Sequence, residues 1–549
     1  MFWLRKSWLL GTAAVICTLL WFALLALRPL YEPDEGRYAE IPREMLSGGD
    51  WVIPHLDALV YLEKPPLQYW LTALAYRAFG QNEFAARLCT GLAGYLSMAA
   101  LFLLGLRLWG FDAGVRALLF ASASTLFVLL GHQLTLDMLL SFFLLAALGC
   151  FLMAQQRRGP GAHWRAWMLG CWTAMALAVL TKGLIGALIP AATLASYVLW
   201  QRDWPLLRRL NIRWGLPLFA AIAVPWFVLA ARANGQFLRF FFVREHFQRY
   251  LTPIEHRGEP WWFFAPVLAV GIMPWLPQAA RALVSPFTDR VPRGQFSASR
   301  VLWAWCVFVL VFFSISSAKL ITYILPAVPA LALLCAGEKT AESRGTLLGS
   351  ALLSFGSGLG LLAYARGLWG SADALEVLPS IRAVLFGTST LLVLGAAISA
   401  LCVLQARPGA ALAAVCAAWF FATATILVAA NDAQGLFSAK DEALALRREA
   451  RSEGMADVPV FSVQSYRQSL PFYLQRPVVL VDYRDEFDFG LTQDPQRGIA
   501  TLAQFADVWR SLKRGLAVMP PSTRDRLAAL ELPMREVAQF PEQVMVSRR

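Results

Sequence analysis

Charge is scarce in this 549-residue chain: Asp, Glu, Lys and Arg make up only 15% of it, against 58% hydrophobic residues, and mean hydropathy is +0.53. A soluble fold of this length needs more polar surface, so water is excluded as its main solvent. Histidine is rarer still, with five in the chain, and no close spacing such as His-x-x-x-His occurs, which removes the usual helical zinc signature. The eight cysteines all lie in or beside apolar runs, and the polar carboxy-terminal segment has none, so a disulfide framework is not expected there. No internal repeat is evident, which argues against the repeat architecture of many transporters and flippases. The first apolar run follows Arg5 and Lys6 and lacks a small-x-small cleavage site, so it reads as a retained anchor and not a signal peptide.

What the chain has in abundance is apolar runs long enough to cross a hydrocarbon core of ~30 Å. They lie at Trp8 to Leu27, Ala85 to Leu106, Gly114 to Leu130, Leu134 to Ala154, Trp167 to Leu180, Leu184 to Trp200 and Trp214 to Ala231. Others follow at Trp262 to Ala280, Val301 to Ser317, Leu320 to Gly337, Leu347 to Ala365, Ala383 to Leu404 and Ala410 to Ala430. The expected fold is therefore a polytopic α-helical membrane protein of about thirteen spans. With Arg5 and Lys6 holding the amino terminus in the cytoplasm, alternate short loops should be arginine-rich. Arg107 and Arg116, Arg157, Arg158 and Arg165, and Arg202, Arg208, Arg209 and Arg213 all satisfy that pattern. The formal charge of +13 is then largely topological, and nucleic acid is not needed as a partner. An odd number of spans places everything after about Ala430 on the outer face. A transmembrane domain of residues 1–435, with long outer loops at 28–84 and 232–261, should precede a small soluble α/β domain at 436–549. Strands are expected there at Val458 to Val463, Val478 to Val481, Leu516 to Met519 and Val544 to Val546, with helices at Leu502 to Leu512 and Thr523 to Leu530.

The outer loops gather carboxylates, cations and four of the five histidines, as a phosphate-bearing lipid and its acceptor would require. The first loop also has amphipathic stretches at Tyr38 to Leu46 and Leu67 to Phe79 that suit helices lying along the membrane surface. Asp34, just outside the first span, is positioned to act as a base or to orient a nucleophile; the alternative is a helix N-cap. Asp137, at the lip of a span, needs a partner, and Arg37 or Lys64 would serve; the pair is then either catalytic or purely structural. Lys64, Lys182, Lys319, Arg37, Arg244, Arg249 and Arg257 are candidates for donor and acceptor phosphates, with snorkelling towards headgroups as the alternative for Lys182 and Lys319. Glu63 with His246 or His256 offers a zinc-type donor set, the alternative being ordinary hydrogen-bonded histidine.

Taken together, these segments resemble the bacterial lipid A aminoarabinose transferases, within the GT-C superfamily that includes protein O-mannosyltransferases. The resemblance rests on Pro33-Asp34-Glu35-Gly36-Arg37-Tyr38-Ala39-Glu40, Glu63-Lys64-Pro65-Pro66-Leu67-Gln68-Tyr69-Trp70 and Glu83-Phe84-Ala85-Ala86-Arg87-Leu88. Thr135-Leu136-Asp137-Met138, Thr181-Lys182-Gly183, Phe242 to Tyr250, His256 to Trp262 and Ser314 to Leu320 extend it over most of the membrane region, while the carboxy-terminal domain adds little. It implies an inverting transfer of 4-amino-4-deoxy-L-arabinose from undecaprenyl phosphate to a lipid A phosphate, at the periplasmic face of the bacterial inner membrane. That modification masks negative charge and blunts polymyxin and other cationic peptides. It also implies Asp34 and Asp137 as the catalytic carboxylates, with Arg37, Lys64 and Tyr323 in the substrate pocket. A relative using another polyprenyl-phosphate sugar, or a protein or glycan acceptor, shares the acidic first loop and is the alternative, with a lipid transporter behind it.

Overall fold

The computed structural model describes residues 2–156, 163–251, 258–288, 291–338, 341–368, 379–452 and 458–548. Every apolar run read from the sequence is helical over most of its length. Seven helices are long and apolar enough to cross a membrane, or up to nine if each of two bent pairs forms one span, among the described residues. Shorter apolar helices at Gly11–Ala26, Ile185–Gln201 and Ile321–Gly337 accompany them. By its contacts the chain divides into two compact units, Met1–Leu24 with Cys89–Ala429, and Leu25–Leu88 with Ala430–Arg549. The first long loop thus joins the carboxy-terminal segment, a different division from the compositional one at 435, because the polar groups of the loop find their partners there.

In the helical unit, hydroxyls and indoles join helices whose apolar faces carry little other polarity. Trp419 Nε1 donates to Ser354 Oγ at 2.9 Å, Ser389 Oγ to the Gly358 carbonyl at 2.7 Å, and Ser350 Oγ to Gln278 Oε1 at 3.0 Å. The two bent pairs turn by 72° between Phe111–Ala123 and Thr125–Gly131 and by 118° between Phe264–Gly271 and Leu276–Thr288. A break frees backbone groups that an apolar environment cannot satisfy, and here one break serves the other: Ser124 Oγ donates to the Gly271 carbonyl at 2.7 Å. His132 is structural in the same sense, its ring nitrogens 2.7 and 3.0 Å from the carbonyls of Val128 and Trp21.

The second unit begins with two helices, Asp34–Gly48 and Leu67–Phe79, separated by a hairpin of β1 (His55–Leu56) and β2 (Leu59–Val60). Asp57 and Ala58 turn that hairpin with φ of 54° and 61°, the left-handed pair that a two-residue hairpin turn requires. The carboxy-terminal segment builds a six-stranded sheet from β3 (Val460–Val463), β4 (Val479–Val481), β5 (Gly498–Ile499), β6 (Gly515–Met519), β7 (Arg535–Gln539) and β8 (Val544–Arg548), in the order β5-β4-β3-β6-β8-β7. The first four strands are parallel, and β7 and β8 are antiparallel. β6 reads as an unbroken apolar run and β3 as one interrupted only by Ser462, since both strands are buried along their whole length, and helix Leu502–Ser511 packs Phe505 and Trp509 against Phe461, Val463 and Ala517. Removing a fully buried side chain such as Trp509 should cost ~3–5 kcal/mol.

Candidate active site

Asp34 opens the helix Asp34–Gly48, but not as its cap: Pro33 holds the cap position, and no side chain caps the helix. The capping alternative is thereby set aside, and the Asp34 carboxylate, one-third exposed, lies 3.4 Å from Arg37. Arg37 turns its Nε to Glu486 of the carboxy-terminal segment at 2.5 Å. Burial raises the Glu486 carboxyl against the pull of Arg37 and of a hydrogen bond from Gln468. Behind Asp34, its neighbour Glu35 is completely buried between two guanidiniums. Arg28 reaches it at 2.5 and 3.0 Å, Arg87 at 2.7 and 2.8 Å, and the Tyr31 N–H at 2.9 Å. Burial alone would push this carboxyl up, but Arg28 and Arg87 outweigh it and hold it below the usual carboxylate range. Arg87 also donates to the carbonyls of Leu25, Arg28 and Pro29, so the chain entering the helix is fastened at several points. Gly36 admits the close approach of Ser469, whose backbone a Cβ would overlap. Lys64, the other expected phosphate ligand of this unit, donates to the Glu63 carbonyl at 3.1 Å, and Glu63 accepts from Tyr61 at 3.0 Å.

The helical unit carries the second set. Asp137 pairs with Lys182 at 2.5 Å, which corrects the expectation of Arg37 or Lys64 as its partner. Two helices meet here, because Asp137 lies in the first turn of Leu136–Gln156 and Lys182 ends Trp164–Lys182. Gly183 stops that second helix with φ of 88°, its N–H on the Val179 carbonyl at 2.8 Å. The Lys182 ammonium stands 4.5 Å from the centroid of the Tyr323 ring, a cation–π contact that adds to its pairing with Asp137. Lys319 is 7% exposed and donates to the Ser316 carbonyl at 2.6 Å, with no carboxylate in salt-bridge contact among the described residues. A buried ammonium held mainly by a neutral oxygen is costly unless an anion joins it. The turn holding Lys319 is braced from the second long loop, where the Tyr250 carbonyl accepts from Ser317 N at 3.1 Å and Ser317 Oγ at 2.6 Å.

That loop contains a π-helical stretch, Arg239–Gln248. Arg244 lies over the Phe240 ring at 5.5 Å, and Arg249 pairs with Glu245 at 2.8 Å. Arg257 and His256 fall outside the described residues. His246 Nδ1 is 2.7 Å from the Phe241 carbonyl, and Nε2 accepts from Leu184 N at 3.3 Å, so this histidine is seated on the turn after Lys182. Among the described residues no group of three or more His, Cys, Asp or Glu is placed to hold a metal. Glu63 and His246 are both engaged by protein groups. Sequence reasoning missed Arg28, Glu35, Arg87 and Glu486. An arginine inside an apolar run, as Arg87 is, was a usable signal, since such a charge demands a buried partner; Glu486 offered none.

The family model described as aminoarabinose transferase C-terminal domain matches residues 446–548, and that described as dolichyl-phosphate-mannose-protein mannosyltransferase matches residues 63–229. A relative from Erwinia tasmaniensis, an undecaprenyl phosphate-α-4-amino-4-deoxy-L-arabinose arabinosyl transferase, is 32% identical over 493 residues, covering 86% of each chain. Its namesake from Pseudomonas aeruginosa is 36% identical over 338 residues, 60% of this chain and 59% of that one. The crystal structure of ArnT from Cupriavidus metallidurans bound to undecaprenyl phosphate matches with a TM-score of 0.88 at 32% identity, over 99% of this chain and 98% of that one. The apo oligosaccharyltransferase of Archaeoglobus fulgidus, at 14% identity and a TM-score of 0.51, shares the fold alone over 95% of this chain and 70% of that one.

Proposed function

The chain belongs to the family of undecaprenyl phosphate-α-4-amino-4-deoxy-L-arabinose arabinosyl transferases, and from that premise we propose that it moves 4-amino-4-deoxy-L-arabinose from undecaprenyl phosphate to a phosphate of lipid A. It is a polytopic membrane glycosyltransferase dependent on a polyprenyl phosphate. The alternation of arginine-rich loops supports an amino terminus in the cytoplasm, with both long loops and the carboxy-terminal segment in the periplasm.

The observation that carries this reading is the buried cation Lys319, four residues before Tyr323, whose ring meets the Lys182 of the Lys182–Asp137 pair; among the described residues no carboxylate pairs with Lys319. Such cations bind the phosphate of the lipid donor and stabilise it as it leaves. An oxygen of the acceptor phosphate forms the new bond to the anomeric carbon from the opposite side, while the bond from that carbon to the undecaprenyl phosphate oxygen breaks. Undecaprenyl phosphate departs as an anion and needs no proton donor. The acceptor phosphate is ionised near neutral pH, so Asp34 is not required as a base. Its carboxylate holds the sugar amine and offsets positive charge developing at the anomeric carbon.

Asp34→Asn tests the assignment, because it keeps the shape and removes the charge. Lipid A from membranes carrying this variant, measured by mass spectrometry, should show transfer reduced at least about 100-fold at equal protein level. Wild-type transfer by Asp34→Asn would refute the role given to Asp34.

A further inference from the structure

The carboxy-terminal sheet carries a cleft that the transfer chemistry does not use. The chain lays β3, β4 and β5 outward in one direction and then places β6 on the other side of β3, so the strand order reverses between β3 and β6. In open α/β sheets, ligands bind outside the carboxyl ends of parallel strands near such a reversal. Here the position between β3 and β6 is closed by side chains. Gln464, which follows β3, accepts at Oε1 from Thr523 at 2.9 Å and from Arg526, and its amide donates to Asp482 Oδ2.

The opening lies one strand further along, at the carboxyl ends of β4 and β5. A cavity of about 310 Å³ is lined there by Asp482, Tyr483, Arg484, Leu491, Pro495 and Ala500. Its backbone is unusual. Gln464, Asp482 and Asp485 have φ of 54°, 49° and 33°, so non-glycine residues at two adjacent strand ends adopt the left-handed region. Strain of this kind persists where surrounding structure enforces it, and it concentrates at ligand clamps. Two bonds enforce it at Asp482 and Gln464: Asp482 N–H donates to Ile499 O and Gln464 N–H to Val481 O, both at 2.8 Å.

We propose that this cleft binds a phosphorylated saccharide. Asp482 keeps one carboxylate oxygen for sugar hydroxyls or an amine after Gln464 takes the other. The Tyr483 ring with Leu491 and Pro495 offers an apolar wall of the kind a pyranose face covers. Arg484, 62% exposed, pairs among the described residues with Asp488 at 3.1 Å, a weak solvent-exposed contact that a phosphate displaces. The carboxy-terminal domain thereby acquires a recognition role, one that does not depend on the transfer reading.

The test uses the purified full-length protein in detergent, with glucosamine 1-phosphate and unphosphorylated glucosamine as probes, read by saturation-transfer NMR and calorimetry. Glucosamine 1-phosphate should saturate the wild-type protein and bind more tightly than glucosamine. Arg484→Ala should weaken glucosamine 1-phosphate by at least about fivefold and leave glucosamine unchanged. Ala500→Trp, at an exposed wall position, should abolish binding of both, and an unchanged melting temperature in each variant ties the loss to the cleft. Binding by Ala500→Trp equal to wild type, or phosphate selectivity unaltered by Arg484→Ala, would overturn the proposal. An active enzyme with no glucosamine 1-phosphate binding would overturn it while leaving the transfer reading intact.

Discussion

Glu35 is adjacent to Asp34 in sequence and opposite to it in circumstance, since Asp34 is partly exposed while Glu35 is wholly buried between Arg28 and Arg87. Its charge neutralises one of two guanidiniums that would otherwise repel each other out of water. Removing the charge while keeping the shape leaves two buried cations without a counter-ion, and breaking a buried ionic cluster in this way costs ~3–5 kcal/mol. Glu35→Gln should therefore lower the melting temperature of the detergent-purified protein and loosen the helix start that carries Asp34 and Arg37. The pH sign follows from the depressed carboxyl. Its stabilisation is present above the ordinary carboxylate range and is lost as pH falls through the lower value it has in the fold. The wild type should lose stability on acidification more steeply than Glu35→Gln, and parallel melting curves in acid would contradict this account. At this scale the sequence identified most charges that matter but not their pairing. Lys182 and Asp137 lie far apart along the chain, and only the packing of two helices brings them to 2.5 Å.

The helix Asp34–Gly48 has a second titrating region near its other end. Glu40 and Arg43 pair at 2.5 Å, Glu44 accepts from Ala58 N at 2.9 Å, and Asp57 accepts from Val478 N at 2.7 Å. One oxygen each of Glu44 and Asp57 is buried with no hydrogen-bond partner among the described residues as the groups are placed, and Glu40 lies close enough to Glu44 to act on its carboxyl. Burial, then the charges of Glu40 and Asp57, push the Glu44 carboxyl up to about 9, so it is protonated in the fold at neutral pH. A raised carboxyl contributes stability that is complete below the unfolded value and lost as pH rises through the folded one. This unit should therefore weaken between mildly acidic pH and about pH 9. Glu44→Gln, which fixes the neutral form, should flatten that decline in melts taken across the range; an unchanged slope would dismiss the role of Glu44. Elements themselves were largely legible. Continuous apolar runs marked the helices, and the buried strands β3, β4, β6 and β8 stood out as short, mostly apolar runs, with Ser462 in β3 and Ser547 and Arg548 at the end of β8 as the polar exceptions. By contrast β5, at two residues, is too short to show a period, and the edge strand β7, Arg535-Glu536-Val537-Ala538-Gln539, carries polar residues and a register shift that hide its alternation.

At the scale of the whole molecule, the first loop has its own sequence motif but not its own core. Glu32 is met by Ser469 N at 3.0 Å and also by the Ser469 hydroxyl, Arg37 by Glu486, Asp57 by Val478 N, and Glu83 by Lys440 at 2.6 Å and Tyr473 at 3.2 Å. All of these partners come from the far end of the chain. Composition could not reveal this, because a loop rich in charge looks solvated until its partners are located. Each such group, if stripped of its partner, costs ~1–3 kcal/mol of desolvation that water must restore by entering the unit. A chain ending after Ser438 keeps the apolar helices and should still insert in the membrane. Its residues 28–84 should nonetheless become sensitive to added protease, and transfer should fall at least about 100-fold, because Asp34 and Arg37 lose the packing that orients them. The full-length Asp34→Asn protein is the control, inactive but protease-resistant. A shortened chain whose first loop stays resistant and whose lipid A is still modified would mean that the carboxy-terminal domain does not support the loop, and that the loop holds Asp34 by itself.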